Sequence, residues 1–307
     1  MGGERLINRK IEYVLNNLLN TPQLINMNTS TTIFTRYLYF KAEVINTLEW
    51  SILDKQLEES LYWAYEMYYS GFKKEIFEFL LTFCSKYNSE IYPHYYICIE
   101  DLYRKWNIKK DDYSIGKIIK LLVSSKVSIT NLLRLRQKVK IINEELIANV
   151  PHFEIPSFSE QEVYKYKTIK LTTKMRNWSF LDSVACKYVI RRVICNELLI
   201  FHPNVEIINF DKWMYYASKT PIWRQRILKF SGVINDEYQT VEVEQDEFHN
   251  QYDYEPDEQS QNLKEMLWGN DLKKYVNLSL IEFAKKYGID NVYQKCKINP
   301  KRLNKNA

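Results

Sequence analysis

Glycine is scarce: 7 of 307 residues. Neither G-x-x-x-x-G-K-[ST] nor G-x-G-x-x-G occurs, which excludes the loops that cradle nucleotide phosphates through backbone N–H groups. The 8 prolines form no biased tract, so a collagen-like or low-complexity chain is excluded as well. Cysteine is sparse and odd in number: Cys84, Cys98, Cys186, Cys195 and Cys296 contain no C-x-x-C pair. The four histidines, His94, His152, His202 and His249, stand far apart, and no structural zinc pattern can be written. The thiols are expected to be reduced and mostly buried. No apolar run approaches the roughly 20 residues that span a bilayer, and the N-terminus has no signal-peptide core. A soluble, intracellular-type protein without membrane insertion is the expectation. No G-x-S-x-G elbow, H-E-x-x-H or kinase catalytic loop is found. The carboxylates Asp253, Glu255, Asp257 and Glu258 read as a solvated helix start. No catalytic residue, metal ligand or cofactor is nominated, and a non-enzymatic protein is expected.

What the chain has in quantity is Ile (31), Lys (31), Asn (25) and Tyr (24), against few Gly (7), Ala (7), Pro (8) and Arg (12). The first group is written with AT-rich codons and the second with GC-rich ones. The bias points to an AT-rich genome, and tyrosine or lysine abundance alone carries no functional weight.

Apolar spacing predicts a mainly α fold. Residues 5–20 form an amphipathic pattern, and the run Ile33 to Trp50 becomes helical toward its end. Asp54 is the expected N-cap of a helix to Tyr69, stopped by Gly71. On that helix Leu57, Leu61, Ala64 and Tyr68 share a stripe, with Trp63 and Met67 beside it. The cluster Tyr62, Trp63, Tyr65, Tyr68 and Tyr69 reads as a packed aromatic helix contact. Further helices are expected over Lys73–Tyr87, Tyr92–Trp106, Ile115–Ser124 and Thr130–Ala148. Two prolines, Pro151 and Pro156, mark a change of character. The expected organisation is a multi-helix array over 1–150, an α-rich part with one small β-hairpin over 151–298, and a frayed basic tail at 299–307. Within the second part the pattern predicts a long helix Phe180–Phe201, short helices over Asp211–Ala217 and Pro221–Phe230, and helices near Asp246–Tyr252, Asp257–Trp268 and Leu272–Tyr287. The best strand is Thr240–Glu244, paired with Ser231–Ile234 across Asn235-Asp236.

Net charge is only +5, but it is segregated. The stretch 104–140 carries +9, the stretch 164–192 carries +7, and the stretch 230–263 carries −10. The basic blocks, interleaved with Tyr and Trp, nominate a contact surface for nucleic acid or for an acidic protein patch. Its residues are Arg104, Lys105, Lys109, Lys110, Arg134, Arg136, Lys138, Lys140, Lys165, Lys167, Lys170, Lys174, Arg176, Arg191 and Arg192. Solvated helix faces, or docking onto this chain's own acidic stretch, stay open beside that reading. The acidic stretch lacks EF-hand spacing.

Two stretches carry a resemblance. One is Tyr37-Leu-Tyr-Phe-Lys-Ala-Glu-Val, continuing at Glu59-Ser-Leu-Tyr-Trp-Ala-Tyr-Glu-Met-Tyr-Tyr-Ser-Gly-Phe72. The other is Tyr216-Ala-Ser-Lys-Thr-Pro-Ile-Trp-Arg-Gln-Arg-Ile227 with Tyr254-Glu-Pro-Asp-Glu-Gln259. Together they resemble a family of proteins encoded by large nucleocytoplasmic DNA viruses of the mimivirus and phycodnavirus kind, whose genomes are often AT-rich. That family has no assigned chemistry, so no site residue follows from it. The resemblance implies a virion or host-cytoplasm (viral factory) location and other viral proteins as partners. The leading expectation is a structural, assembly or accessory protein acting by protein–protein contact. The alternative is a nucleic-acid-associated factor in viral replication or transcription.

Overall fold

A computed structural model describes residues 32–88, 92–127, 154–167, 179–185, 187–191, 193–194, 209–244, 246–252, 254–269 and 276–277. The expected helices over 5–20 and 130–148, and the tail at 299–307, lie outside the described residues. Five helices follow one another in the first part: α1 Lys41–Leu53, α2 Leu57–Tyr69, α3 Lys73–Tyr87, α4 Pro93–Lys109 and α5 Ser114–Ser124. Later come α6 Glu160–Tyr164, α7 Ser179–Ala185, β1 Val193–Ile194, a 3-10 turn Phe210–Lys212, α8 Trp213–Ser218 and α9 Pro221–Lys229. The chain continues through β2 Val233–Asn235, β3 Thr240–Glu242, α10 Asp246–Gln251, α11 Gln261–Leu267 and β4 Val276–Asn277.

Helix α2 is the centre of the first part. Every residue from Ser60 to Tyr68 is buried, so beyond its first turn the helix is enclosed rather than amphipathic. Glu58 and Glu59 in its first turn complement the helix dipole. It packs against α1, α3 and α5. The predicted stop holds: Gly71 has φ +99°, and the Phe72 N–H donates to Met67 O at 3.2 Å. A Cβ on Gly71 would stand 2.5 Å from Pro221 Cβ, so this glycine also lets the start of α9 approach. Gly116 of α5 does the same for the Phe158 ring, which a Cβ would meet at 2.2 Å.

The segment before α1 organises the rest. Thr35 N donates to Tyr39 O at 2.8 Å and Leu38 N to Thr35 O at 3.1 Å, closing a tight turn with Leu38 at φ +60°. From the α2 side, Arg36 Nε donates to Glu66 Oε2 at 2.7 Å, and Tyr37 N donates to Glu66 Oε1 at 3.2 Å. Arg36 Nη2 reaches Tyr166 O at 2.9 Å. Both members of the pair are buried. Burial opposes the Arg36 charge, yet the Glu66 carboxylate beside it holds the guanidinium above its ordinary pKa. From the other side, four carbonyls of the turn accept late-chain donors. Phe34 O takes Thr220 Oγ1, Thr35 O takes Trp223 Nε1 at 3.0 Å, Arg36 O takes Arg226 Nη1 at 3.3 Å, and Leu38 O takes Trp268 Nε1 at 3.0 Å. Buried side chains from both sides of residue 150 accordingly join one contiguous apolar cluster, from Phe34 and Leu122 to Phe158, Trp223 and Trp268.

The hairpin forms in the expected place. Val233 pairs with Glu242, Ile234 with Val241 and Asn235 with Thr240. Asn235 Oδ1 accepts from the Glu237 and Tyr238 N–H groups at 3.0 Å each, pinning the turn.

Four expectations are corrected. Asp54 ends α1 instead of starting α2: its N–H donates to Trp50 O at 2.9 Å, and its carboxylate is taken by Arg191. The helix predicted over Phe180–Phe201 stops at Ala185, and Val193–Ile194 is a strand. The carbonyls of Val184, Ala185 and Arg191 accept from Tyr62 Oη, Tyr39 Oη and Asn46 Nδ2, so side chains of α1, α2 and the preceding turn replace the helical ladder. Where Leu272–Tyr287 was expected to be helical, Val276–Asn277 is a strand parallel to β1. The helix expected from Asp257 begins later, at Gln261, because Ser260 Oγ caps it by accepting from Leu263 N at 3.3 Å.

Substituting Arg36→Met strands a buried carboxylate, and denaturant titration should show a loss of about 3–5 kcal/mol. Glu66→Gln should cost less than that. The double variant Arg36→Met with Glu66→Leu should be more stable than Arg36→Met alone; a strictly additive cycle would disprove the coupling.

Candidate partner-binding surfaces

Eight of the nominated basic residues, Arg134, Arg136, Lys138, Lys140, Lys170, Lys174, Arg176 and Arg192, lie outside the described residues. The other seven divide by what they touch. Arg104 and Lys105 pair along α4 with Glu100 and Asp101 at 2.8 and 2.7 Å, one helical turn back. Lys165 pairs with Glu58 at 2.7 Å and Lys167 with Asp112 at 3.3 Å. Arg191 joins Glu59 at 2.6 Å and also Asp54. Its pKa is raised: burial works against the charge, and the two carboxylates overcome it. Arg191 therefore fastens the 187–191 segment over the α1–α2 turn. Lys109 has no carboxylate partner among the described residues, and Lys110 lies over the Trp106 ring at 4.1 Å and donates to Asn107 Oδ1 at 3.2 Å. Lys110 caps α4 in the left-handed conformation, φ +53°. These two lysines, with Ile108 83% exposed between Asn107 and Lys109, make the end of α4 a basic tip with an apolar centre.

None of the six pairs that hold Arg104, Lys105, Lys165, Lys167 and Arg191 reaches the acidic stretch. There the described acids are mostly in water. Asp236 pairs with Lys219 at 2.5 Å and accepts from Tyr215 Oη at 3.2 Å, which keeps its pKa below the ordinary range. Glu255 accepts from Trp213 Nε1 at 2.7 Å, and burial raises its pKa. Glu237, Glu242, Glu244, Asp246, Glu247, Asp257 and Glu258 are exposed and have no ion pair among the described residues. The pleat explains why apolar side chains share that face. Ile234 and Val241 pack on the core, so Val233, directly opposite Glu242, points outward and is 62% exposed. Tyr238 at the turn is 65% exposed and Leu228, at the end of α9, 54%. A shallow groove on the outer side of α9 is lined by Pro221, Arg224, Gln225, Leu228 and Lys229.

The aromatic cluster of α2 is interior. Tyr65 stacks on Tyr166 at 4.8 Å, and Tyr68 and Tyr69 donate to the two Asp112 oxygens at 3.0 and 3.1 Å. Cys84 is buried, where its thiol pKa is pushed up, and Cys98 is half-buried. No three His, Cys, Asp or Glu side chains among the described residues are grouped to hold a metal ion. No helix among the described residues is long and apolar enough to cross a membrane.

The exposed acidic hairpin was signalled by the −10 stretch; its outward apolar residues were not, because period-2 alternation does not say which face is covered. Arg191→Ala should lower thermal stability by about 1–3 kcal/mol, leaving two carboxylates together, whereas Lys109→Ala should stay within about 0.5 kcal/mol. Equal losses would contradict this division. Near the basic block, Glu162 accepts from Lys120 Nζ at 2.7 Å and caps α6 through Ser159, and its pKa falls to about 2. A depressed carboxylate stabilises above its unfolded pKa and loses that contribution as pH falls through its folded one. The stability gap between wild type and Glu162→Gln should therefore close between about pH 4.5 and about pH 2 in acid titration. A gap unchanged across that window would count against the cap.

No family model, no curated protein and no solved structure matches the chain.

Proposed function

We propose that this chain is a non-enzymatic viral protein working through protein–protein contacts, as a structural or assembly component of the virion or an accessory subunit of a larger viral complex. The observation that carries the reading is where charge is spent. The described basic candidates are largely neutralised by carboxylates of this same chain, one helical turn away or on a distant helix, while the acidic hairpin leaves carboxylates in water beside outward Val233 and Tyr238. Apolar side chains ringed by uncompensated charge suit a protein interface with a polar rim. The sequence resemblance to viral proteins supports the virion or the viral factory in the host cytoplasm as its place.

A nucleic-acid role draws less support. Phosphate binding needs free cations, and only Lys109 and Lys110 of the described candidates lack a carboxylate.

The test is recovery of a tagged copy from cells infected with the encoding virus, with and without nuclease. Viral proteins recovered at fixed stoichiometry, unaffected by nuclease, are expected. Recovery that collapses on nuclease treatment, together with retention on DNA or RNA at about 50 mM salt that falls steeply as salt rises, would favour the nucleic-acid alternative instead.

A further inference from the structure

The two unsatisfied surfaces of this molecule are complementary to each other. At the end of α4, Ile108 is the most exposed large apolar side chain among the described residues, and Lys109 and Lys110 beside it lack carboxylate partners there. On the hairpin, Val233 and Tyr238 are outward, with Glu237, Glu242 and Glu244 unpaired among the described residues. No ion pair joins the two surfaces within one chain among the described residues: Arg104 and Lys105 pair with Glu100 and Asp101, and Asp236 pairs with Lys219. We propose that the α4 tip of one copy docks on the β2–β3 hairpin of a second copy, Ile108 against Val233 and Tyr238, with Lys109 and Lys110 facing Glu242 and Glu244.

The contact is between two different patches, so it is heterologous: each copy keeps a free tip and a free hairpin, and association continues head to tail unless the rotation closes a ring. The pairs at Arg104 and Lys105 are exposed one-turn helix pairs, cheap to exchange for carboxylates of a neighbour. Both patches are small, so a weak, salt-sensitive association is expected rather than an obligate dimer. This inference rests on the protein–protein reading above and names one partner for it.

Sedimentation velocity over a concentration series of the full chain tests it. Average mass should rise with concentration at about 50 mM salt, and the apparent Kd should weaken at least about tenfold by about 500 mM. The tip variant I108S/K109E and the hairpin variant Y238A/E242A/E244A should each stay monomeric alone. Mixed in equal amounts, they retain one intact patch each and should form a complex that stops at two chains. Circular dichroism melts of both variants should match wild type, since every substituted side chain is exposed. A wild-type chain monomeric throughout, association that grows with salt, or association surviving in either variant would overturn the proposal. Its failure is separable from that of the functional reading: a monomer that still recovers other viral proteins from infected cells overturns only the self-contact, and self-association with no viral partner recovered overturns only the function.

Discussion

A single turn, residues 34–40, holds the structure together, and one buried ion pair holds that turn. Arg36 and Glu66 are both removed from water, where each alone would be costly, and their mutual attraction is supplemented by Tyr37 N–H and the Tyr166 carbonyl. With Arg36 fixed against α2, the carbonyls of Phe34, Thr35, Arg36 and Leu38 are presented to the later chain, which supplies a threonine, two tryptophans and an arginine as donors. The contrast with Arg226 is instructive. That guanidinium is also buried, lies over the Trp223 and Tyr252 rings at 4.6 and 4.7 Å, and has no carboxylate partner among the described residues. Burial lowers its pKa where that of Arg36 is raised. Ring faces and one carbonyl offset burial less completely than a carboxylate does.

Much of the helical order was legible in sequence because it rests on local signals. Gly71 ends α2, Pro93 and Pro221 open α4 and α9, and the run after Asn235 makes the hairpin. What was not legible depends on partners distant in the chain. Arg36 and Glu66 are thirty positions apart, and charged residues default to the surface in any pattern reading. Asp54 looks like an N-cap until Arg191 takes its carboxylate. The apolar run after Phe180 has helical spacing, yet its carbonyls are claimed by Tyr39, Tyr62 and Asn46. Tertiary hydrogen bonds overrode local propensity in each case.

The surfaces show the same division. Blocks of like charge are visible in the sequence, but sign alone does not tell a spent charge from a free one. Lys165 and Lys109 are the same residue type in the same kind of block; Glu58 neutralises the first, and no described carboxylate meets the second. The stretches around Tyr37–Phe72 and Tyr216–Ile227 meet beside the 34–40 turn, at Gly71 against Pro221 and Trp223 against Thr35.

The long separation between the turn and its donors has a consequence for synthesis. Thr220 lies 186 positions after Phe34, and Trp268 lies 230 after Leu38. At the roughly 5–20 residues per second of ribosomal elongation, the turn emerges about ten seconds or more before the groups that complete it. During that interval the turn carbonyls must be met by water, and the apolar surface reserved for Trp223 and Trp268 stays open. The first part of the chain thus keeps apolar surface in water for as long as its second part is still being made.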